Sequence, residues 1–226
     1  RLFGDAGGLV ALFFCCADPT FLAHGALATS DLCMAFFFLA ALSTWWWHTG
    51  RWALRSGVVS ALVLGLACVA KFSAVLLGPM FVLLVLLRWW LERGLPWRRL
   101  ALSVAGHVAA VWCVIWAFYG FRFAAAAPEV APFAHFIAPW SDLLHEAGAV
   151  GRVLGFLRQL HALPEAFLYG TNHVFVYSQQ RAAFLDGTYS IHGWLRFFPL
   201  AFLYKTPLAL LLALAASLAV GLAHLR

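Results

Sequence analysis

The 226-residue sequence predicts an all-α polytopic membrane protein, a bundle of transmembrane helices with an extracytoplasmic loop domain that bears interfacial helices. Three observations predict it. Apolar side chains make up 64% of the chain and charged ones 11%, with a mean hydropathy of +0.88, where soluble domains run near half and a quarter. The apolar residues form runs approaching bilayer length, about 20 residues per crossing. The arginines fall at the ends of those runs, so the net charge of +6 reads as a topology signal and argues against a nucleic-acid partner. The same composition excludes disorder, collagen and secreted disulfide scaffolds.

In chain order, a first apolar run at 7–17 closes at Asp18-Pro19, a pair that fits a helix N-cap followed by proline at N1. A second run, 31–47, gives roughly 25 Å of helix, one thin crossing, with Trp45, Trp46 and Trp47 as interface anchors. The stretch 57–90 would measure roughly 50 Å as one helix, too long for one span. Lys71-Phe72-Ser73 and Gly78-Pro79 interrupt it, which predicts two short crossings meeting near Lys71. Residues 101–121 and 197–222 are further spans, the first containing His107 and the second Lys205 and Pro207. Between them, 122–196 holds five of the nine acids and five of the nine histidines. The expected organisation is therefore a bundle at 1–121 with about five short crossings, a loop domain at 122–196 and a final helix at 197–226. Within the loop domain, 149–163 spaces its apolar residues as a surface helix does. The absence of an initial Met and of a signal-peptide pattern, and the end at Arg226, lead us to expect a piece of a longer protein.

Orientation follows from arginine counting in short loops. Loops 48–56 and 88–99 carry six arginines between them and are expected on the cytoplasmic side. Parity then places Asp18, Asp31, Lys71, the 122–196 loop and Lys205 together on the opposite face. Ionisable residues at membrane depth are rare and usually functional, so these few charges carry the functional reading.

His24 and Asp31, seven residues apart, would lie on one side of a continuous helix and form one wall of a polar cavity. Asp31 also reads as the cap of the second span, and one carboxylate can do both. Lys71 and Lys205 are the only lysines, and each reads either as a snorkelling side chain or as a counter-charge for an anionic ligand. His107 reads as a hydrogen-bonded residue within the bundle rather than a ligand. The histidines at 135, 145, 161, 173 and 192 lack helical metal spacing, and the cysteines at 15, 16, 33, 68 and 113, with no C-x-x-C, read as small buried hydrophobes.

The ordered segments DPTFLAHGALATSDLCMAFF, GLACVAKFSAVLLGP, LPEAFLYG and FLDGTYSIHGWLRFFPLAFLYKTPLALL resemble the bacterial branch of the protein O-mannosyltransferase-like, GT-C-type glycosyltransferases, over about residues 5–212. The resemblance implies a GT-C helix bundle in a bacterial inner membrane. It further implies an inverting transfer of a sugar from a polyprenyl-phosphate-linked donor to a hydroxyl of a protein, lipid or glycan acceptor on the extracytoplasmic face. Lys71, and then Lys205 or an arginine of the large loop, would balance charge on the departing phosphate, while Asp31 and His24 would line the sugar or acceptor side. The resemblance assigns no cofactor, and a divalent metal would be compatible with it. The family's catalytic carboxylate lies in the first extracytoplasmic loop, upstream of this sequence, and Asp5 does not match it. Asp31 matches the acidic position at the head of the following span and is the candidate base within the chain. The alternative class is a transporter or polyprenyl-lipid-binding subunit without catalysis.

Overall fold

A computed structural model describes residues 4–27, 29–126, 136–180 and 182–224. The described residues are mostly helical and form two compact units, residues 33–179 and the paired segments 1–32 and 180–226.

The larger unit is built from α3 (Asp31–Thr49, whose first two residues belong to the other unit), α4 (Leu54–Ala70), a 3-10 turn (Phe72–Leu76), α5 (Leu77–Glu92) and α6 (Trp97–Phe118), followed by α7 (Trp140–Glu146), α8 (Gly148–Gln159) and α9 (Glu165–Ser178). Its core gathers Met34, Ala41 and Trp45 of α3, Ala67 of α4, Ala74 of the turn, and Leu77 and Phe81 of α5. The most extensive helix pairing among the described residues is α4 on α6. The two helices approach closely where Gly65 faces Val114, since a methyl built on Gly65 would stand 2.8 Å from Val114 Cγ2. Small residues are what let apolar helices approach where no water drives them together.

The expected interruption at Lys71 is present, since α4 stops at Ala70 and Lys71 adopts extended backbone. The one expected at Gly78-Pro79 is not. Pro79 stands in the first turn of α5, where its missing N–H has no intrahelical partner to lose, and the helix runs through it. Phe72–Glu92 and Trp97–Phe118 are each long and apolar enough to cross a membrane; α4 is apolar but has only 17 residues.

The smaller unit contains α1 (Gly4–Ala17), α2 (Pro19–Gly25), a hairpin of β1 (Ala183–Leu185) and β2 (Thr188–Ser190), α10 (Phe197–Lys205) and α11 (Leu208–His224). Asp18 caps α2 as its sequence predicts, accepting from Thr20 N at 2.8 Å and Phe21 N at 3.0 Å, with Pro19 at N1. The hairpin turns on Asp186 and Gly187, both at positive φ, the conformation a two-residue Asp-Gly turn needs to match strand twist. The single span expected at 197–222 is bent, with α10 and α11 meeting at 113°. Pro207 lacks the N–H that would continue α10 and drives Thr206 into the β region, φ −88° and ψ 128°. α1 and α2 likewise meet at 60°, and counting each bent pair as one span gives up to four crossings among the described residues.

Two sequence expectations about burial are corrected. Cys15, Cys16, Cys33 and Cys113 are exposed and Cys68 is half-buried, because they sit on outward faces of helices that are apolar all round. Trp45 is a core residue, 3% exposed and stacked on Phe81 with ring centroids 4.7 Å apart, rather than an interface anchor.

Candidate functional site

Lys71 stands where the helical ladder stops. Its carbonyl accepts from Ala74 N at 3.0 Å and starts the 3-10 turn, which presents Phe72 to α9. The approach is close, and a methyl built on Gly170 would overlap the Phe72 ring. Phe167 of α9 lies 5.6 Å from Phe72 and 6.2 Å from Tyr119, the residue that ends α6. The Lys71 corner and the C-terminal end of α6 are therefore roofed by α9, a segment of the region read as the loop domain.

That roof is held by polar contacts the sequence reading did not single out. Arg158, in the last turn of α8, donates from Nε and Nη2 to Glu165 Oε1 at 3.0 and 2.7 Å, and its guanidinium lies 4.6 Å over the Trp140 ring. Glu165 Oε2 accepts from Ala125 N at 3.3 Å, and Glu165 N donates to Phe123 O at 2.9 Å. Tyr169, one turn on, donates its hydroxyl to Ala138 O and accepts from Ala138 N, while its ring stacks on Phe136 at 4.1 Å. Glu165 and Tyr169 both belong to the LPEAFLYG segment, and their i, i+4 spacing on α9 was the available signal. Nothing in the spacing of Arg158 and Glu165 predicts their pairing, because a turn at 160–164 separates their helices.

The opposite end of α4, roughly 25 Å away at 1.5 Å per residue, carries a second polar cluster. His48 at the end of α3 bonds Ser56 Oγ at 3.1 Å through Nδ1 and Ser103 Oγ at 2.7 Å through Nε2, joining three helices. His107 donates from Nδ1 to the Ser103 carbonyl at 2.8 Å, the hydrogen-bonded role expected of it. Beside this cluster, Arg88 donates to Trp46 O at 3.0 Å, covers the Trp46 ring at 4.0 Å and pairs with Glu92. Arg88 is thus more than a topology signal, because it closes the C-terminal end of α3, where carbonyls lack helical partners.

His24 and Asp31 do not share a helix. α2 ends at Gly25 with Ala26 as its C-cap, and α3 begins at Asp31, so the seven-residue spacing gives no common face. His24 is exposed in the last turn of α2. Asp31 is exposed in the first turn of α3, where a carboxylate complements the positive end of the helix dipole. Neither Asp31 nor Lys71 is an unpartnered charge. Lys205 is exposed and ends α10 just before the Thr206-Pro207 bend. The residue before it, Tyr204, lies 3.5 Å from Asp186 of the hairpin turn, and Asp186 also approaches Arg196 at 3.9 Å. Asp186 was not among the expected site residues, although it lies in the quoted FLDGTYS segment.

No group of three or more His, Cys, Asp or Glu side chains among the described residues could hold a metal ion. His135 lies outside the described residues. Compared with protein-family models, curated proteins and solved structures, the chain matches none.

Proposed function

We propose that the chain is part of a membrane glycosyltransferase of the GT-C type, transferring a sugar from a polyprenyl-phosphate-linked donor to an acceptor hydroxyl on the extracytoplasmic face with inversion. The observation that carries this reading is the Lys71 corner, a cation at a break in the apolar helices, next to the α9 roof and at the far end of α4 from the arginine-rich loops. Exposed leucines and valines on α5 and α6, such as Leu83, Leu86 and Leu102, are the surface a bilayer would cover. In the proposed step the acceptor oxygen bonds to the anomeric carbon as the bond from that carbon to the phosphate oxygen breaks. The phosphate leaves with the electron pair, and a carboxylate takes the acceptor proton. Lys71 is the cation assigned to balance the charge developing on the phosphate, with Lys205 or an arginine of the large loop as the second candidate. Asp31 is the base candidate within this chain, and His24 is assigned to the sugar or acceptor side.

The test uses the full-length protein in proteoliposomes with a radiolabelled polyprenyl-phosphate sugar. Lys71→Ala and Asp31→Asn are each expected to lower transfer by about 100-fold or more, with Lys71→Arg recovering part of the loss and melting curves confirming folded protein. Full transfer by both variants, or solute uptake without any transfer, overturns the assignment; uptake alone would point to a transporter.

A further inference from the structure

We infer that the loop segment holds a binding site for one neutral sugar ring, in a half-open cavity of about 240 Å³ lined by Phe123, Leu144, Gly155, Arg158, Gln159 and His161. Four features on this pocket point to that ligand class.

The first is size. The volume equals about eight waters at roughly 30 Å³ each and falls below the range of drug-sized pockets. It is of the size of one six-membered ring, and its open side lets the rest of a larger glycan extend into solvent.

The second is charge. Arg158 is fixed in place by its two bonds to Glu165 and by the Trp140 face beneath it, and Glu165 also neutralises it. Nε and Nη2 each donate to Glu165 Oε1, and a guanidinium carries five N–H groups, more than these two bonds use. A guanidinium already paired with a carboxylate offers an anion less net charge and keeps N–H groups that can donate to hydroxyls. Holding it rigid also removes the side-chain entropy a ligand would otherwise have to overcome.

The third is donor and acceptor balance. Gln159 is exposed at the rim and both donates and accepts, and the His161 imidazole adds a further polar atom. Hydroxyls, which also do both, match such a lining.

The fourth is the aromatic wall. Phe123 and His161 meet edge to face with ring centroids 3.9 Å apart, presenting an apolar surface to the C–H face of a pyranose. His161 holds this position with φ 51°, a left-handed conformation unusual for a residue with a side chain.

The site is distinct from the Lys71 corner and its chemistry does not depend on the transfer reaction, so the two readings fail separately. The test is ligand-observed NMR with the full-length protein in detergent, using glucose, mannose and galactose as probes, and inorganic phosphate as the anionic comparison. The expected result is saturable binding of at least one hexose with a Kd on the order of millimolar, as suits a small ligand in a half-open site. Gln159→Ala and Phe123→Ala should each weaken it by about tenfold. Arg158→Ala should abolish it, and the two milder variants guard against misreading a folding defect caused by losing the Glu165 pair. Binding of phosphate in preference to every hexose, no saturable hexose binding, or hexose binding untouched by Gln159→Ala and Phe123→Ala would each overturn the inference.

Discussion

Ser103 shows how much one small hydroxyl does in a chain this poor in polar groups. Its Oγ lies 2.7 Å from His48 Nε2, and its carbonyl receives His107 Nδ1–H at 2.8 Å, so one residue of α6 ties α3 to α6 and fixes the His107 ring. Ser103→Ala leaves the backbone bond to His107 and strands His48 Nε2 in an environment where His48 is 6% exposed. The cost of stranding a buried polar atom is about 1–3 kcal/mol, at the lower end for interhelical bonds in membranes. The expected outcome is a lower melting temperature in detergent for Ser103→Ala and little change for Ser103→Thr, which keeps the hydroxyl. The Arg158 to Glu165 pair makes a contrasting case, because the Arg158 side chain is 39% exposed and solvent screens it. Glu165→Gln keeps an acceptor for Arg158 and loses the charge, so the expected loss is only about 1 kcal/mol, seen as faster proteolysis at the turn 160–164.

Gly65 sets the α4 to α6 distance as an element-scale property, since the Val114 branch occupies the space its side chain would need. Val114 is β-branched and held to one rotamer in a helix, so it cannot swing aside. Gly65→Val should therefore force the helices apart at a cost of about 1–3 kcal/mol, and Val114→Ala in the same molecule should recover most of it, the non-additivity expected of touching residues. Thermal unfolding of the two single variants and the double variant measures this directly. What was legible in the sequence at this scale was local. Asp18-Pro19 encodes its own cap and the non-helical Lys71 corner is foreseen, but the continuity of α5 through Gly78-Pro79 and the bend at Thr206-Pro207 are not. The Pro207 signal was present in the residue itself and was outweighed by an apolar run that reads as continuous. Which face of α3 or α5 is buried could not be read, because helices apolar all round carry no stripe to mark the core side. Trp45 and the four exposed cysteines were misplaced for that one reason.

On the scale of the larger unit, His48, Arg88 and Glu92 gather at one end of α4 to α6, and Lys71, Tyr119 and Gly170 at the other. This polarity is independent of arginine counting, because it comes from contacts, yet it separates the same two sets of loops. Six arginines and one acid fall in 48–56 and 88–99, whereas Lys71 is the only basic residue between α4 and α5. The positive-inside rule leads us to expect the arginine end on the cytoplasmic side and the α7 to α9 roof on the outer side. In a cysteine-free background of the full-length protein, single cysteines at Arg93 and at Gly94 should react with a membrane-impermeant maleimide only after the membrane is opened. Cysteines at the exposed residues Arg152 and Gln159 should react in intact cells. Labelling of residues 93 and 152 from the same side would break the polarity itself. The fully reversed pattern would preserve the fold's two ends but move the Lys71 corner to the cytoplasmic face, where a donor approaching from the extracytoplasmic leaflet could not reach it.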